Sequence, residues 1–388
     1  MRTLKKQRQS LRVLSSLLLV LVYIGFYFDW LNVKFLAIWA NTQFAPVTCS
    51  KGVSAGVKKW FVDSVQSVHA TAAQWAELKQ GQLHACQYGW EYWPYISPPV
   101  NNDSIFAYAS LTKLITAELI FQQIRMQQLS LNDPVANRLL TQKVRMGNWV
   151  DNRAKAITIG DLLSHRMGVD RTIQGDVMAA PNSWCPDHLL ALASLQLNSN
   201  AGQRFAYSNL GYCLLGSVLT VSTKQSVEHL MTSGPYSQSS FVFLWQAQSH
   251  DAINWVIYPF GRSNTNDDLR VWHNATASGS LKGSAKSLLL ALDNASRQSA
   301  PNIFSSFSER QIRCGLDNLR GCHGLAMYEF SSKNDQYFWK DGSLPETTAV
   351  TLIRPRHQEL MVFLANGGAI NASKVRNEKI VRDYLQAN

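Results

Sequence analysis

The chain has 388 residues, 46% of them hydrophobic, with twelve tryptophans, six cysteines and a formal charge of +11. That apolar content excludes an intrinsically disordered chain, and the absence of any basic cluster interleaved with aromatics excludes a nucleic-acid interface. The cysteines, at 49, 86, 185, 213, 314 and 322, include no Cys-x-x-Cys pair, which removes the usual zinc and dithiol redox signatures.

Arg2, Lys5, Lys6, Arg8 and Arg12 open the chain without an acid, and Val13 to Phe28 then carry no charge. Nearly half of the basic balance is therefore a topology signal. The pattern predicts a membrane anchor over residues 1–40, with Tyr23, Tyr27 and Trp30 as interface aromatics, or a signal peptide if it is cleaved. No clean Ala-x-Ala site follows, so an uncleaved single-pass anchor in the inner membrane is the expectation, with residues 41–388 in the periplasm or outside. Six cysteines suit such an oxidising compartment. Cys314 and Cys322 frame a short Gly-rich loop and are the first choice for a bridge; Cys213, in an apolar helical run, is either a buried thiol or the partner of a distant cysteine.

Beyond the anchor, residues 53–79 read as a helix, and Leu83 to Tyr95 as one or two aromatic-rich strands closed by Pro98-Pro99. A helix is expected from Ser110 to about Gln128, with Leu114, Ile115, Leu119, Ile120 and Ile124 as its buried stripe. Ile157 to His165 reads as a further helix start capped by Thr158, and the lone His165 at its end as structural. Leu210 to Thr220 continues as an apolar helix, and Leu281 to Leu292 forms another after the Gly-rich Ala277 to Ser280. The last third changes character: His323–Phe330, Gln336–Lys340, Thr347–Arg354 and Glu359–Ala365 read as strands, and Lys374–Leu385 as a closing helix.

Three short stretches carry chemistry. Ser110 and Lys113 stand three apart, so a helix presents both on one face and sets an amine beside a hydroxyl. Lysine activates a serine only when its ammonium form is disfavoured by burial or by neighbouring cations. From this motif alone, a cap serine followed by a solvated lysine is an equal alternative. The second stretch, Phe205 to Tyr212, offers Tyr207 as a general base and Asn209 as both donor and acceptor. The third is Lys340-Asp341-Gly342-Ser343 at a strand end, where Gly342 permits close approach to the backbone and Lys340 adds positive charge. No metal cluster or nucleotide-binding Gly loop is visible, and no cofactor is expected.

Ser110-Leu-Thr-Lys113, Tyr207-Ser-Asn209 and Lys340-Asp-Gly342, in that order, resemble the three active-site motifs of the serine beta-lactamase and penicillin-binding-protein superfamily. The tyrosine of the middle motif is similar to that of the class C branch. Leu129 to Pro134, Ile157 to His165 and Ala201 to Tyr212 resemble further family strings. The resemblance, over about residues 100–385, implies an α/β (α+β) fold: an antiparallel sheet flanked by helices, with an inserted helical subdomain at roughly 125–300 and the site in the groove between.

It also implies that Ser110 becomes acylated and that Lys113 and Tyr207 share the proton traffic, with either as base. Lys340 would lower the tyrosine pKa, the N–H groups of Ser110 and Ser343 would form the oxyanion hole, and Asn209 would orient the substrate amide or the lysine. Two departures stand out. Residues 50–100 do not show the family's strand-turn-strand pattern clearly, and Asp341 stands where Thr or Ser is usual. An acid facing the groove would repel a substrate carboxylate, whereas one turned outward by the strand pleat would change little.

The expected function is an exported, membrane-anchored serine hydrolase that cleaves an ester or amide through an acyl-enzyme, with neutral esters favoured. The alternatives are a beta-lactamase or D-alanyl-D-alanine carboxypeptidase acting on peptidoglycan-derived substrates, or a penicillin-binding cell-wall protein of low turnover.

Overall fold

The computed structural model describes residues 44–91, 95, 97–179, 183–246, 266–306, 314–344, 347–367 and 373–388. The expected anchor lies outside these residues; among them, no helix is long and apolar enough to cross a membrane.

Seven antiparallel strands form the main sheet. In chain order they are β1 (Val47–Cys49), β2 (Ala72–Lys79), β3 (Gln82–Gly89), β7 (Tyr328–Ser332), β8 (Asp335–Leu344), β9 (Thr347–Arg354) and β10 (Glu359–Ala365), arranged β1-β3-β2-β10-β9-β8-β7. Strands β4 (Phe106–Ala107), β5 (Val242–Phe243) and β6 (Leu281–Gly283) make a small second sheet in the order β4-β6-β5. Both ends of the chain thus build one sheet. Its seam is the β2–β10 pair, where Ala73 faces Ala365 and Leu78 faces Leu360.

Period-two alternation along these strands sorts their side chains onto two cores. Trp75, Trp339, Met361 and Phe363 face helices α1 (Ala55–Ser67) and α5 (Ser373–Ala387), meeting Trp60, Phe61, Ile380 and Tyr384. Trp60 lies against Trp75, Phe363 and Tyr384 in edge contacts, and its indole N–H donates to the Ile380 carbonyl at 3.0 Å, so the polar handle of a buried aromatic is satisfied. Ala72, Ala76, Phe338, Val362 and Leu364 point the other way. They meet α2 (Thr112–Arg125), α3 (Asn209–Thr223) and α4 (Ala285–Ser296) through residues such as Leu114, Leu215 and Leu288.

The helix expected at 53–79 is two elements. Helix α1 ends at Ser67, His69 turns the chain in the left-handed region at φ +53°, and β2 begins at Ala72. Ala72–Lys79 is rich in helix formers, yet nearly all of it is buried between two strands, and that tertiary environment overrides propensity. The strand-turn-strand unit of the N-terminal edge is therefore present as β2–β3, with β1 beyond it.

Other boundaries shift less. The strand reading over Leu83–Tyr95 ends at Gly89, where a φ of +85° and a Cβ position 1.9 Å from the Thr71 carbonyl oxygen both demand glycine. The helix expected from Leu281 begins at Ala285, capped by Ser284, because Leu281–Gly283 pairs as β6. Of the strand expected over His323–Phe330, only the part from Tyr328 is strand. Thr347–Arg354 and Glu359–Ala365 match their strands, and Thr158 caps its helix through a reciprocal box with Asp161.

All six cysteines are paired. Cys314–Cys322 closes the Gly-rich loop as expected, Cys213 finds the distant Cys185, and Cys49–Cys86 joins β1 to β3 where the two residues are already register partners.

Candidate active site

Ser110 sits in the single 3-10 turn Ala109–Leu111 that feeds α2 rather than in the helix itself. Ala109, just before it, takes a left-handed φ of +48°, a strained backbone for a residue with a Cβ and one held only by its surroundings. Strand β8 provides part of that hold. A Cβ at Gly342 would stand 2.5 Å from the Tyr108 carbonyl oxygen and 2.8 Å from the Ser110 amide nitrogen, so glycine alone lets the strand run this close to the turn.

One helical step on, Lys113 is completely buried. Its Nζ lies 3.2 Å from Ser110 Oγ and 2.8 Å from Asn209 Oδ1, and it also donates to the Ser278 carbonyl. On the opposite side, the Tyr207 hydroxyl donates to Ser110 Oγ at 2.6 Å. Three of the residues singled out in the sequence thus converge on one serine oxygen or its neighbour.

Tyr207 is seated by His165. The His165 carbonyl accepts from Ala206 N at 2.8 Å, its Nδ1 accepts from Ser208 N at 3.1 Å, and its ring stacks on Tyr207 at 4.3 Å between centroids. Accepting at Nδ1 fixes a neutral imidazole with its proton on Nε2. Burial, followed by the charge of Lys340, holds the His165 pKa well below the ordinary histidine value. These contacts are structural ones: His165 holds the loop that carries Tyr207.

Lys340 is buried and donates to the Ala326 carbonyl at 2.9 Å. Burial lowers its pKa to about 7, with Asp341 pulling the other way. Its field acts on Lys113, whose pKa lies well below the lysine value because of burial first, then Lys340 and Arg171, with Asp176 opposing. Tyr207 is pushed upward by burial, and the cation that eases it is Arg171, whose guanidinium lies 4.7 Å from the ring centre, rather than Lys340.

Asp341 sits on the pleat opposite Lys340. Arg320 grips it with two bonds of 3.0 and 2.7 Å, and Asn377 of α5 donates a third at 2.8 Å and also reaches Ser343 Oγ at 3.2 Å. Its charge is matched, so the repulsion expected of a bare acid in the groove does not arise. Arg320 itself lies over Tyr328 and Trp339 and donates through Nε to Glu378.

Ser110, Tyr207, Asn209, Arg320, Asp341 and Ser343 line a cleft of about 370 Å³, while Lys113 and Lys340 are buried beneath it. Arg171 and Asp176 belong to a stretch without readable periodicity, and Arg320 to the disulfide-closed loop. None of the three was singled out in the sequence. Among the described residues no group of three or more His, Cys, Asp or Glu could hold a metal ion.

A family model described as Beta-lactamase matches residues 57–386. The chain is 27% identical over 345 residues to the probable fimbrial assembly protein FimD, serogroup H1, of Dichelobacter nodosus, covering 87% of this chain and 84% of that protein. Among solved structures it resembles a beta-lactamase/D-alanine carboxypeptidase from Yersinia pestis complexed with citrate, with a TM-score of 0.65, 17% identity and coverage of 86% and 97%. It also resembles SurE with D-Leu, with a TM-score of 0.62, 21% identity and coverage of 85% and 74%. At these identities the likeness of the structures is one of fold.

Proposed function

The chain belongs to the beta-lactamase family and is one of its serine hydrolases, and we propose that Ser110 is the nucleophile of an acyl-enzyme mechanism in which Lys113 is the base. One observation carries this reading. A neutral amine has two N–H donors and one lone pair, and Lys113 has two carbonyl acceptors, Asn209 Oδ1 and the Ser278 carbonyl, with Ser110 Oγ as its third neighbour. The lone pair is left for the serine proton, and the depressed lysine pKa supports that state.

In acylation the Ser110 oxygen bonds the carbonyl carbon as its proton passes to Lys113, and the oxyanion lies against the N–H groups of Ser110 and Ser343. Collapse breaks the bond to the leaving group, which takes the Tyr207 proton, and the Lys113 ammonium restores the phenol. Water then attacks the acyl carbon, its proton passes to Lys113, and Ser110 departs reprotonated.

Neutral esters are the favoured substrates. Both guanidiniums of the cleft are already engaged, Arg320 by Asp341 and Arg171 by Asp176. A substrate carboxylate would have to displace an internal one. Peptidoglycan-derived amides and beta-lactams are the second reading, supported by Arg320, which would receive a carboxylate if Asp341 let go. Export and anchoring through the N-terminal segment are part of the proposal, and three disulfides support an oxidising compartment.

Mass spectrometry of the intact protein after exposure to a fluorophosphonate, a penicillin and a panel of activated esters tests the core of it. The expected adduct is on Ser110 and is absent from Ser110→Ala at an unchanged thermal midpoint. An adduct on the Ser110→Ala protein removes this serine from the mechanism.

A further inference from the structure

We infer that Asp176 is a positioning residue of the acylation step: its carboxylate locks the Asn209 amide with the oxygen toward Lys113, and its charge opposes the cations that stand around that base. The inference rests on Lys113 being the base.

Asp176 lies between the short helix Arg171–Gln174 and the turn Val177–Ala179. Its Oδ1 accepts from Met178 N at 3.1 Å, and its Oδ2 accepts from Asn209 Nδ2 at 2.6 Å and from Arg171 Nη1 at 3.1 Å. An ionised carboxylate only accepts, so it dictates which end of the amide faces it. Because the amide is planar, that choice turns Oδ1 toward Lys113, 2.8 Å away. With the amide reversed, oxygen would oppose carboxylate, and an NH₂ group would compete with the serine hydroxyl for the lysine lone pair. The lock therefore commits one lysine N–H to Asn209, the Ser278 carbonyl takes the other, and the lone pair is directed to Ser110.

The same carboxylate acts through space. Around Lys113 stand Lys340 from β8 and Arg171 from the short helix, which both lower its proton affinity, and Asp176, which raises it. Tyr207 and Tyr212 present ring faces at 5.1 and 5.5 Å. The neutral His165 lies behind Tyr207, within the reach of the lysine's field. Asp176 is the acid in this group that opposes the two cations, and Arg171 is its ion-pair partner. Removing it takes away a stabiliser of the ammonium and leaves Arg171 uncompensated. Both effects move the lysine in one direction.

The test is the pH dependence of kcat/KM for 4-nitrophenyl acetate in the full chain. Asp176→Asn is expected to move the acid limb to lower pH by roughly half a unit or more and to lower kcat on the plateau by about tenfold, with KM little changed. Arg171→Ala is expected to move the limb the opposite way. Asp176→Glu, which keeps the charge and shifts the lock, is expected to leave the limb in place and lower the plateau. These last two variants carry the test if Asp176→Asn does not fold. An unmoved limb in Asp176→Asn or Arg171→Ala, or an unchanged plateau in Asp176→Glu, overturns the role given to Asp176. Persistence of the limb in Lys113→Met removes the base assignment itself, and the two failures are told apart by that variant.

Discussion

Arg320 and Asp341 meet in parallel, Nη1 to Oδ1 and Nη2 to Oδ2, and this fork fills the wall of the cleft with an internal ion pair. A carboxylate-bearing substrate has to compete with it. Asp341→Thr removes the carboxylate from both terminal nitrogens of Arg320, while Glu378 keeps Nε and the Tyr328 hydroxyl stays within reach of the guanidinium. The ratio of kcat/KM for a chromogenic cephalosporin to that for a neutral ester is expected to rise about tenfold, the worth of one charge-assisted hydrogen bond of ~1.5 kcal/mol. A ratio that stays put, or efficient cephalosporin turnover by the unaltered protein, counts against the ester preference.

Gly342→Ala tests the closeness of β8 to the Ser110 turn. The added Cβ would fall 2.5 Å from the Tyr108 carbonyl oxygen and 2.8 Å from the Ser110 nitrogen, both backbone atoms that cannot swing aside. Overpacking of this kind costs about 1–3 kcal/mol, and the displaced turn takes Ser110 N away from the substrate carbonyl. The expectation is a kcat lowered at least 100-fold with a thermal midpoint lowered by only a few degrees. Activity within threefold of the parent would show that the strand can retreat without consequence.

Lys340→Met should stabilise the fold while impairing it as an enzyme. Burial brings the folded-state pKa to about 7 from an ordinary value near 10.5. Between those pH values the unfolded chain binds the proton and the folded chain does not, so stability rises with pH across the window, and the full cost of the buried ammonium is felt below pH 7. The methionine variant avoids that cost, up to a few kcal/mol less about 1 kcal/mol for the lost bond to the Ala326 carbonyl. Differential scanning calorimetry should find a Tm gain of several degrees at pH 6 that shrinks toward pH 10. A gain independent of pH would assign it to packing instead.

The Cys49–Cys86 pair closes a loop with a sequence separation of 37, for which chain entropy gives a stabilisation of about 3–4 kcal/mol. Replacing both cysteines by serine is expected to lower the thermal midpoint by several degrees and to leave ester turnover at 25 °C within twofold, because β1 and the β8 end of the sheet lie at opposite edges. A protein whose midpoint does not move would show that β1 is held by its hydrogen bonds alone.

The candidate site was legible because its residues meet through local spacing: Ser110 and Lys113 stand one turn apart, and Tyr207 and Asn209 flank the helix cap Ser208. The strands at 347–354 and 359–365 were legible because β-branched and apolar residues fill them. What stayed hidden depends on contacts made across the chain. Ala72–Lys79 has helix-forming composition and becomes a strand only because β3 and β10 flank it. The surroundings of Asp341 stayed open since Arg320, 21 positions away and in another element, has no local pattern tying it to the strand. Asp176 and Arg171 sit in a stretch of short turns, where no periodicity announces which side chains face inward.

The seam of the main sheet also bears on how the chain reaches this state. Thr71 and Ala72, at the start of β2, donate their amide N–H groups to the side-chain oxygen of Asn366, 295 and 294 positions later, and β10 lies along β2 from Leu360 to Ala365. At a synthesis rate of about 5–20 residues per second, β2 emerges from the ribosome some 15–60 s before its partner exists. A β2–β3 hairpin formed in that interval would leave the β10-facing edge of β2 unpaired, a template open to other strands. The main sheet cannot close before residue 365 is made, because β10 is the strand that joins its two halves.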